Sequence, residues 1–447
     1  LCLNISVKEI RRGFGQGAAD CEGEKTCMGT KINVVYSTAQ GELEFDPTLQ
    51  ALGADGEEYW ELRATDLVPL PAGATLFYLP GRSPLGIDAG GEVETITEQG
   101  ITAVAAILPQ GYTRLFLPAY QREPDAPRLP LFGYTAVAFK DDQLWVAAHR
   151  TDELNKWDPK FFNTPELSDL IQEKLAQAPQ NRILKQLAHC AKEYHCFTAQ
   201  NIFYGRWEGG IPVSPVCNAQ CLGCISKQVA ECCPSPQGRI KFAPTPEEVV
   251  EIALPHLSGD EAMVSFGQGC EGEPLMAGTV IKEAITRLRQ KTQAGTVNIN
   301  TNAGLPDVLE ELAIAGLNTA RISLFSADPE YYRFYHQPQG YDLQQVSDSI
   351  HRLHRRAVFI SLNLLTLPGF TDRESQMEKL FTFLRTHPVG MVQIRNLNID
   401  PDFIWVKMHR EQLVPAGKVI GIADFLTTLQ QEFPALVVGN YSRFRPR

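Results

Sequence analysis

Three cysteines, Cys217, Cys221 and Cys224, are spaced C-x3-C-x2-C, and the apolar run Ile211 to Val216 leads into them. A loop of this kind can wrap three thiolates around three irons of a cubane cluster. The fourth iron is then left without a protein ligand, and a substrate or cofactor can coordinate it directly. Structural metal sites are closed by their protein ligands, so an open position points to chemistry. Two other uses of the same residues stand beside this one. A zinc-stabilised module takes a fourth ligand, which Cys232 or Cys233 can supply. A non-enzymatic iron–sulfur electron carrier of the ferredoxin kind uses tighter spacing ending in Cys-Pro, and Cys233-Pro234 echoes it.

The elements that must position this loop follow it. Ala262 to Phe266, Thr296 to Asn300, Thr319 to Leu324, Val358 to Leu365 and Met391 to Arg395 read as strands. Amphipathic segments near 247–254, 279–291, 307–315, 343–355 and 374–386 lie between them. Thr245-Pro246-Glu247-Glu248 and Thr371-Asp372-Arg373-Glu374 read as capping boxes. With Ile211 to Val216 as the first strand, this makes six strands separated by five helices. Parallel strands need crossover helices, so the fold class is α/β with a partial (β/α)6 barrel over residues 207–447. Ligands of such sheets collect at the carboxyl ends of the strands, where the cysteine loop falls.

Upstream the pattern differs. Residues 28–150 read as an N-terminal β-rich domain, with β-branched and aromatic runs at Thr75 to Leu79, Tyr112 to Leu117 and Tyr134 to Phe139. Lys140-Asp141-Asp142 reads as a hairpin turn. Residues 151–206 read as a helical segment and linker, with Thr164 as an N-cap and Pro165 at the first helical position. The chain begins at Leu1 and its first methionine is Met28. Residues 1–27 lack helical or strand periodicity and read as a non-native or disordered extension, which takes weight from Cys2, Cys21 and Cys27.

C-x3-C-x2-C after a first strand, followed by βα repeats, resembles the radical S-adenosylmethionine (radical SAM) superfamily over roughly residues 207–400. The resemblance implies a [4Fe–4S] cluster on Cys217, Cys221 and Cys224, with S-adenosylmethionine chelating the fourth iron through its amino and carboxylate groups. It implies reductive cleavage to methionine and a 5′-deoxyadenosyl radical, which abstracts hydrogen from a substrate; chemistry of this kind is carried by cofactors. Gly272-Glu273-Pro274 matches the family's Gly-Gly-Glu-Pro segment, which contacts the methionyl amino group. Glu271 stands where the family's first glycine usually stands. Asn302, Ser323 and Asn363 are candidates for the nucleoside or the methionine carboxylate, with a local turn or backbone hydrogen bond as the alternative for each. Arg395 is a candidate for a carboxylate or substrate anion, or for a structural salt bridge. The resemblance also implies a flavodoxin- or ferredoxin-type electron donor and a small-molecule or peptide substrate. No catalytic residue is assigned.

Other residues carry weaker signals. Tyr331, Tyr332, Tyr335 and His336 can donate hydrogen or move a proton, but aromatics on a short helix more often pack. His351 and His354 read as an exposed helix face with Arg352, Arg355 and Arg356. Cys190, Cys196, Cys232, Cys233 and Cys270 can serve an auxiliary cluster or be buried thiols; they contain no C-x2-C pair. Residues 28–200 show no cobalamin-domain signature.

The chain has 447 residues, enough for two or three cores, and a net charge of −11. That charge argues against nucleic acid as a partner, since such binding rests on phosphate neutralisation. No apolar stretch reaches the ~20 residues that span a bilayer, and no signal-peptide core opens the chain, so no membrane partner and a cytoplasmic location are expected. Eleven cysteines in that compartment read as metal or redox residues rather than disulfides.

Overall fold

A computed structural model describes residues 31–56, 58–153, 156–227 and 236–445. The possible start at Met28 and the residues Cys232 and Cys233 lie outside them. The described residues up to Thr151, with Leu367–Ser375 and Asn396–Thr428, form one unit. Asp152–Thr366, Gln376–Arg395 and the residues from Leu429 onward form the other.

The second unit is built on a seven-stranded parallel sheet. Its strands are β1 (Glu208–Gly210), β2 (Met263–Phe266), β3 (Thr296–Thr301), β4 (Thr319–Leu324), β5 (Phe359–Thr366), β6 (Met391–Asn396) and β7 (Val437–Gly439), in that spatial order. Between them run α1 (Pro246–His256), α2 (Gly278–Lys291), α3 (Pro306–Ala315), α4 (Pro329–His336), α5 (Leu343–Arg355) and α6 (Glu374–Thr386). The strand period of two divides each strand into two faces. Val264, Phe266, Val297, Ile299, Ala320, Ile322, Ile360, Leu362 and Val392 fill one face and are wholly or almost wholly buried. The helices supply matching apolar stripes, such as Ile281, Ala284, Ile285 and Leu288 on α2. The other face is polar: Ser265, Asn298, Thr319, Arg321, Ser361 and Gln393 are buried there. The sheet curls into a half-barrel around this polar interior.

Two departures from the sequence reading concern the sheet. The first strand is Glu208–Gly210, not Ile211 to Val216. Pro212 and Pro215 have no backbone N–H to give a ladder, and the N–H groups of Val213 and Ser214 go to the Glu271 carboxylate instead. The sheet also gains a seventh strand, Val437–Gly439, three residues long and too short to stand out as a pattern. The helix starts divide in the same way. Thr245 and Glu248 form the expected capping box on α1. Thr371 does not cap α6, because its hydroxyl accepts the N–H of Leu367. Thr164 caps nothing either; its hydroxyl pairs with that of Tyr204 (2.8 Å) and the helix begins at Leu167.

The first unit is antiparallel β, with thirteen strands among the described residues. The hairpin Tyr134–Lys140/Gln143–Arg150 turns on Asp141 and Asp142, both at positive φ, as a tight two-residue turn requires. Val35, Leu76, Val104, Val137 and Val146 lie in its core. Arg82, 1% exposed, donates to Asp402 (2.6 Å) and fastens the segment after β6 to the strands. Among the described residues no helix is long and apolar enough to cross a membrane.

Candidate functional site

The cysteine loop is held from two sides. On one side it meets the loop after β2. Val213 and Ser214 N–H donate to Oε2 of Glu271 (2.7 and 3.0 Å), while Gly267 and Gln268 N–H donate to Oε1 (2.6 and 2.9 Å). One buried carboxylate thus collects four backbone donors from two loops. The four donors favour the ionised form; burial opposes them and pushes its pKa up to about 7. Gly272 N–H donates to Ser214 O (2.8 Å) and Glu273 N–H to Val216 O (2.9 Å), one residue before Cys217. Gly267 sits at φ +81°, and a Cβ there would lie 1.9 Å from Asn300 O.

On the other side the loop meets the end of α4. Leu222 N–H donates to Tyr335 O (3.0 Å), Gln220 N–H to His336 O (3.2 Å), and Gln339 N–H to Asn218 O (2.9 Å). His336 is 1% exposed, and burial pushes its pKa down to about 3, so the ring is neutral. Its Nε2 accepts the Phe325 N–H (3.1 Å), which leaves the proton on Nδ1, 3.6 Å from Cys221 Sγ. The imidazole can therefore donate to the sulfur. Tyr332 and Tyr335 are buried on α4. Near the third cysteine, Arg239 Nη2 lies 3.7 Å from Cys224 Sγ and bonds Ser226 Oγ (3.0 Å).

These donors favour thiolate sulfur, and three thiolates suit a metal group. Burial pushes the thiols of Cys217 and Cys221 up, and neighbouring motif cysteines add to the rise at both. Three thiolates side by side repel, and metal coordination reverses that balance. Among the described residues, no group of three or more His, Cys, Asp or Glu side chains is already drawn tightly enough to hold a metal ion.

The other sequence candidates fall into two groups. Glu273, 4% exposed, accepts from Thr301 Oγ1, Leu275 N–H (3.1 Å) and Asn302 N–H (2.9 Å). Burial pushes its pKa up to about 7, and its charge helps to raise the Cys217 thiol. The Asn302 side chain bonds Asn218 Oδ1 (2.7 Å), one residue after Cys217, and accepts the Gly304 N–H (2.9 Å). Gly272, Glu273 and Asn302 thus gather beside the cysteine loop. Ser323 and Asn363 lie directly opposite each other on β4 and β5, on the polar face. Arg395, near the carboxyl end of β6, donates to Asn440 Oδ1 (2.9 Å). His351 and His354 are exposed on α5, where Arg352 and Arg356 pair with Glu310.

Glu271, His336, Arg239, Arg321 and Glu208 belong to the site or its interior without having been assigned to it from sequence. Glu271 carried a signal, its departure from glycine. Cys190 and Cys270 are buried and Cys196 is half-buried.

Residues 211–381 match the description "Radical SAM superfamily". This segment belongs to the radical SAM superfamily. Comparison with curated proteins finds no match. Among solved structures, anSMEcpe with AdoMet bound is 16% identical over 42% of this chain and 52% of its own, with a TM-score of 0.33. Streptococcus suis SuiB bound to the precursor peptide SuiA is 14% identical over 64% and 62%, with a TM-score of 0.37. Methylornithine synthase (PylB) is 15% identical over 60% and 78%, also with a TM-score of 0.37. The chain spans about half of the first of these and three-fifths of the second. The radical SAM segment begins at Ile211, within the stretch that the Glu271 carboxylate holds.

Proposed function

We propose that this chain is an enzyme of radical SAM type, cytoplasmic, acting on a small-molecule or peptide substrate with a flavodoxin- or ferredoxin-type electron donor. Cys217, Cys221 and Cys224 would hold a [4Fe–4S] cluster, and the Gly272–Glu273 loop, Asn302, Ser323 and Asn363 would face S-adenosylmethionine. When bound, these groups supply one-electron cleavage of the sulfonium and a 5′-deoxyadenosyl radical that takes hydrogen from the substrate. The chain's own part is to position and tune. Gly272 lets the backbone pass close to a ligand, and the Glu273 carboxylate suits an ammonium group. His336 Nδ1–H offers a hydrogen bond to the Cys221 sulfur, a contact of the kind that tunes reduction potential.

One observation carries the reading. The C-x3-C-x2-C loop follows the first strand of the half-barrel and is stitched to the Gly272–Glu273 loop by the bonds to Ser214 O and Val216 O. The test compares anaerobically purified wild type with Cys221→Ala. Wild type is expected to be brown, to contain iron and sulfide, and to form 5′-deoxyadenosine from S-adenosylmethionine and a strong reductant; the variant is expected to lose most of its iron and the product. A colourless zinc protein, or equal product from both, overturns the reading.

A further inference from the structure

Around Arg321 and Arg395 the half-barrel holds more positive charge than the neighbouring carboxylates balance. Arg321 on β4 is 8% exposed. Its Nη1 donates to Gln393 Oε1 (3.1 Å) and Ser442 Oγ (2.9 Å), and its Nη2 lies 3.7 Å from Glu208 Oε1. Glu208 Oε1 is shared, because it also accepts the Ser265 hydroxyl (2.7 Å). Arg395 stands close enough for the two guanidinium charges to repel. The other acid near Arg395 is Asp152, which already pairs with Arg443 (2.9 Å). Arg321, Arg395 and Arg443 therefore face Glu208 and Asp152, a surplus of one positive charge.

Arg395 is where that surplus is available. A guanidinium has five N–H donors. Among the described residues the Arg395 side chain uses one contact, Nη1 to Asn440 Oδ1 (2.9 Å). Arg395 is half-buried, and its remaining nitrogens are not among the solvent-excluded atoms that lack a partner, so they stay accessible to a ligand. Desolvation and Arg321 push its pKa down to about 10, which still leaves it charged at neutral pH. Charged groups with unused hydrogen-bond donors and perturbed pKa values concentrate at binding sites.

We propose that Arg395, with Arg321 behind it, forms an anion subsite inside the half-barrel that receives a carboxylate or phosphate group of the substrate. The planar fork of a guanidinium matches either oxyanion through two parallel hydrogen bonds. The naming of the anion's owner as the substrate rests on the function proposed above; the anion site itself does not. A substrate held at the carboxyl end of β6 lies at the same end of the sheet as the cysteine loop.

Thermal unfolding of the full chain in chloride, acetate or phosphate at equal ionic strength tests the site. Phosphate also stabilises proteins generally, so the comparison is with Arg395→Gln. Wild type is expected to rise by about 2–4 °C in acetate or phosphate over chloride, beyond any rise in Arg395→Gln. Whichever ion gives the larger difference identifies the oxyanion. In chloride the variant is expected to melt no lower than wild type, because it has lost a charge that Arg321 repels. Equal ion responses in the two proteins, or a variant that melts lower in chloride, overturn the proposal. A second arm separates substrate from cofactor. Equilibrium binding of S-adenosylmethionine to the cluster-loaded protein is expected to change by less than about twofold in Arg395→Gln; a larger loss gives the anion site to the cofactor's carboxylate and overturns the substrate assignment. If wild type takes up no cluster, the proposed function fails while the ion comparison still decides the subsite.

Discussion

A side-chain carbon on Gly272 would lie 2.0 Å from the carbonyl oxygen of Val216, the residue before the first motif cysteine. The two backbones touch, and no flexible side chain stands between them to give way. Gly272→Ala must therefore push the cysteine loop from the loop that carries Glu273. The expected result is a stability loss of about 1–3 kcal/mol, as for other overpacked sites. Formation of 5′-deoxyadenosine should fall further than stability explains, by about tenfold or more, because reacting groups tolerate little misplacement. Urea denaturation and product formation under reducing conditions measure the two effects, and an alanine variant with wild-type values of both would contradict the geometry.

Glu271 gives a sharper test, since its two oxygens each accept two backbone N–H groups. Glutamine keeps the shape but turns one acceptor into a donor that faces two N–H groups. Glu271→Gln is therefore expected to be nearly as harmful as Glu271→Ala, each costing about 2–4 kcal/mol through buried donors left without an acceptor. Both should retain less iron after gel filtration. A glutamine variant as stable as wild type would mean that the carboxylate charge is not what holds the two loops.

The first unit contains a buried acidic pair with a definite pH signature. Asp372 is fully buried, accepts the Gly369 N–H through Oδ1 (2.8 Å) and leaves Oδ2 without a partner; Asp55 Oδ1 is likewise buried and unpartnered. Burial, with the charge of Asp55 added, pushes Asp372 up to about 7, and burial pushes Asp55 to about 6. A carboxyl whose folded pKa lies above its unfolded value binds its proton more tightly in the fold. Its contribution is complete below about pH 4 and is lost as pH rises through 6 to 7. Asp372→Asn removes that loss. The variant is expected to gain about 1–3 kcal/mol over wild type at pH 8 relative to the same comparison at pH 4. Urea midpoints at the two pH values measure this, and a pH-independent difference would rule it out.

Much of the half-barrel was legible because its signals are local. Strands β2 to β6 announce themselves as apolar or β-branched runs, and α1, α2, α3, α5 and α6 as amphipathic segments, within a few residues of where they lie. The misread first strand shows the limit of that method. Hydrophobicity from Ile211 to Val216 suggested a ladder, but Pro212 and Pro215 cannot donate to one, and the N–H groups of Val213 and Ser214 had a carboxylate waiting nearly sixty positions along the chain. The role of His336 was hidden for a similar reason. Its helix was singled out for aromatic chemistry, yet what matters is that the ring reaches Cys221 Sγ and Phe325 N, contacts that no spacing rule contains. The pairing order of the first unit was equally out of reach, since Asn33–Ser37 pairs both with its sequence neighbour Leu43–Asp55 and with the distant Tyr134–Lys140.

The inner wall of the half-barrel draws on both flanks of its sequence: Glu208 precedes the cysteine loop, whereas Asn440 and Ser442 follow every other strand. A ribosome releases the first of these long before the last exist. During that interval Arg321 has no serine to hold it and Arg395 no asparagine, so the nascent chamber stays wet and unfinished.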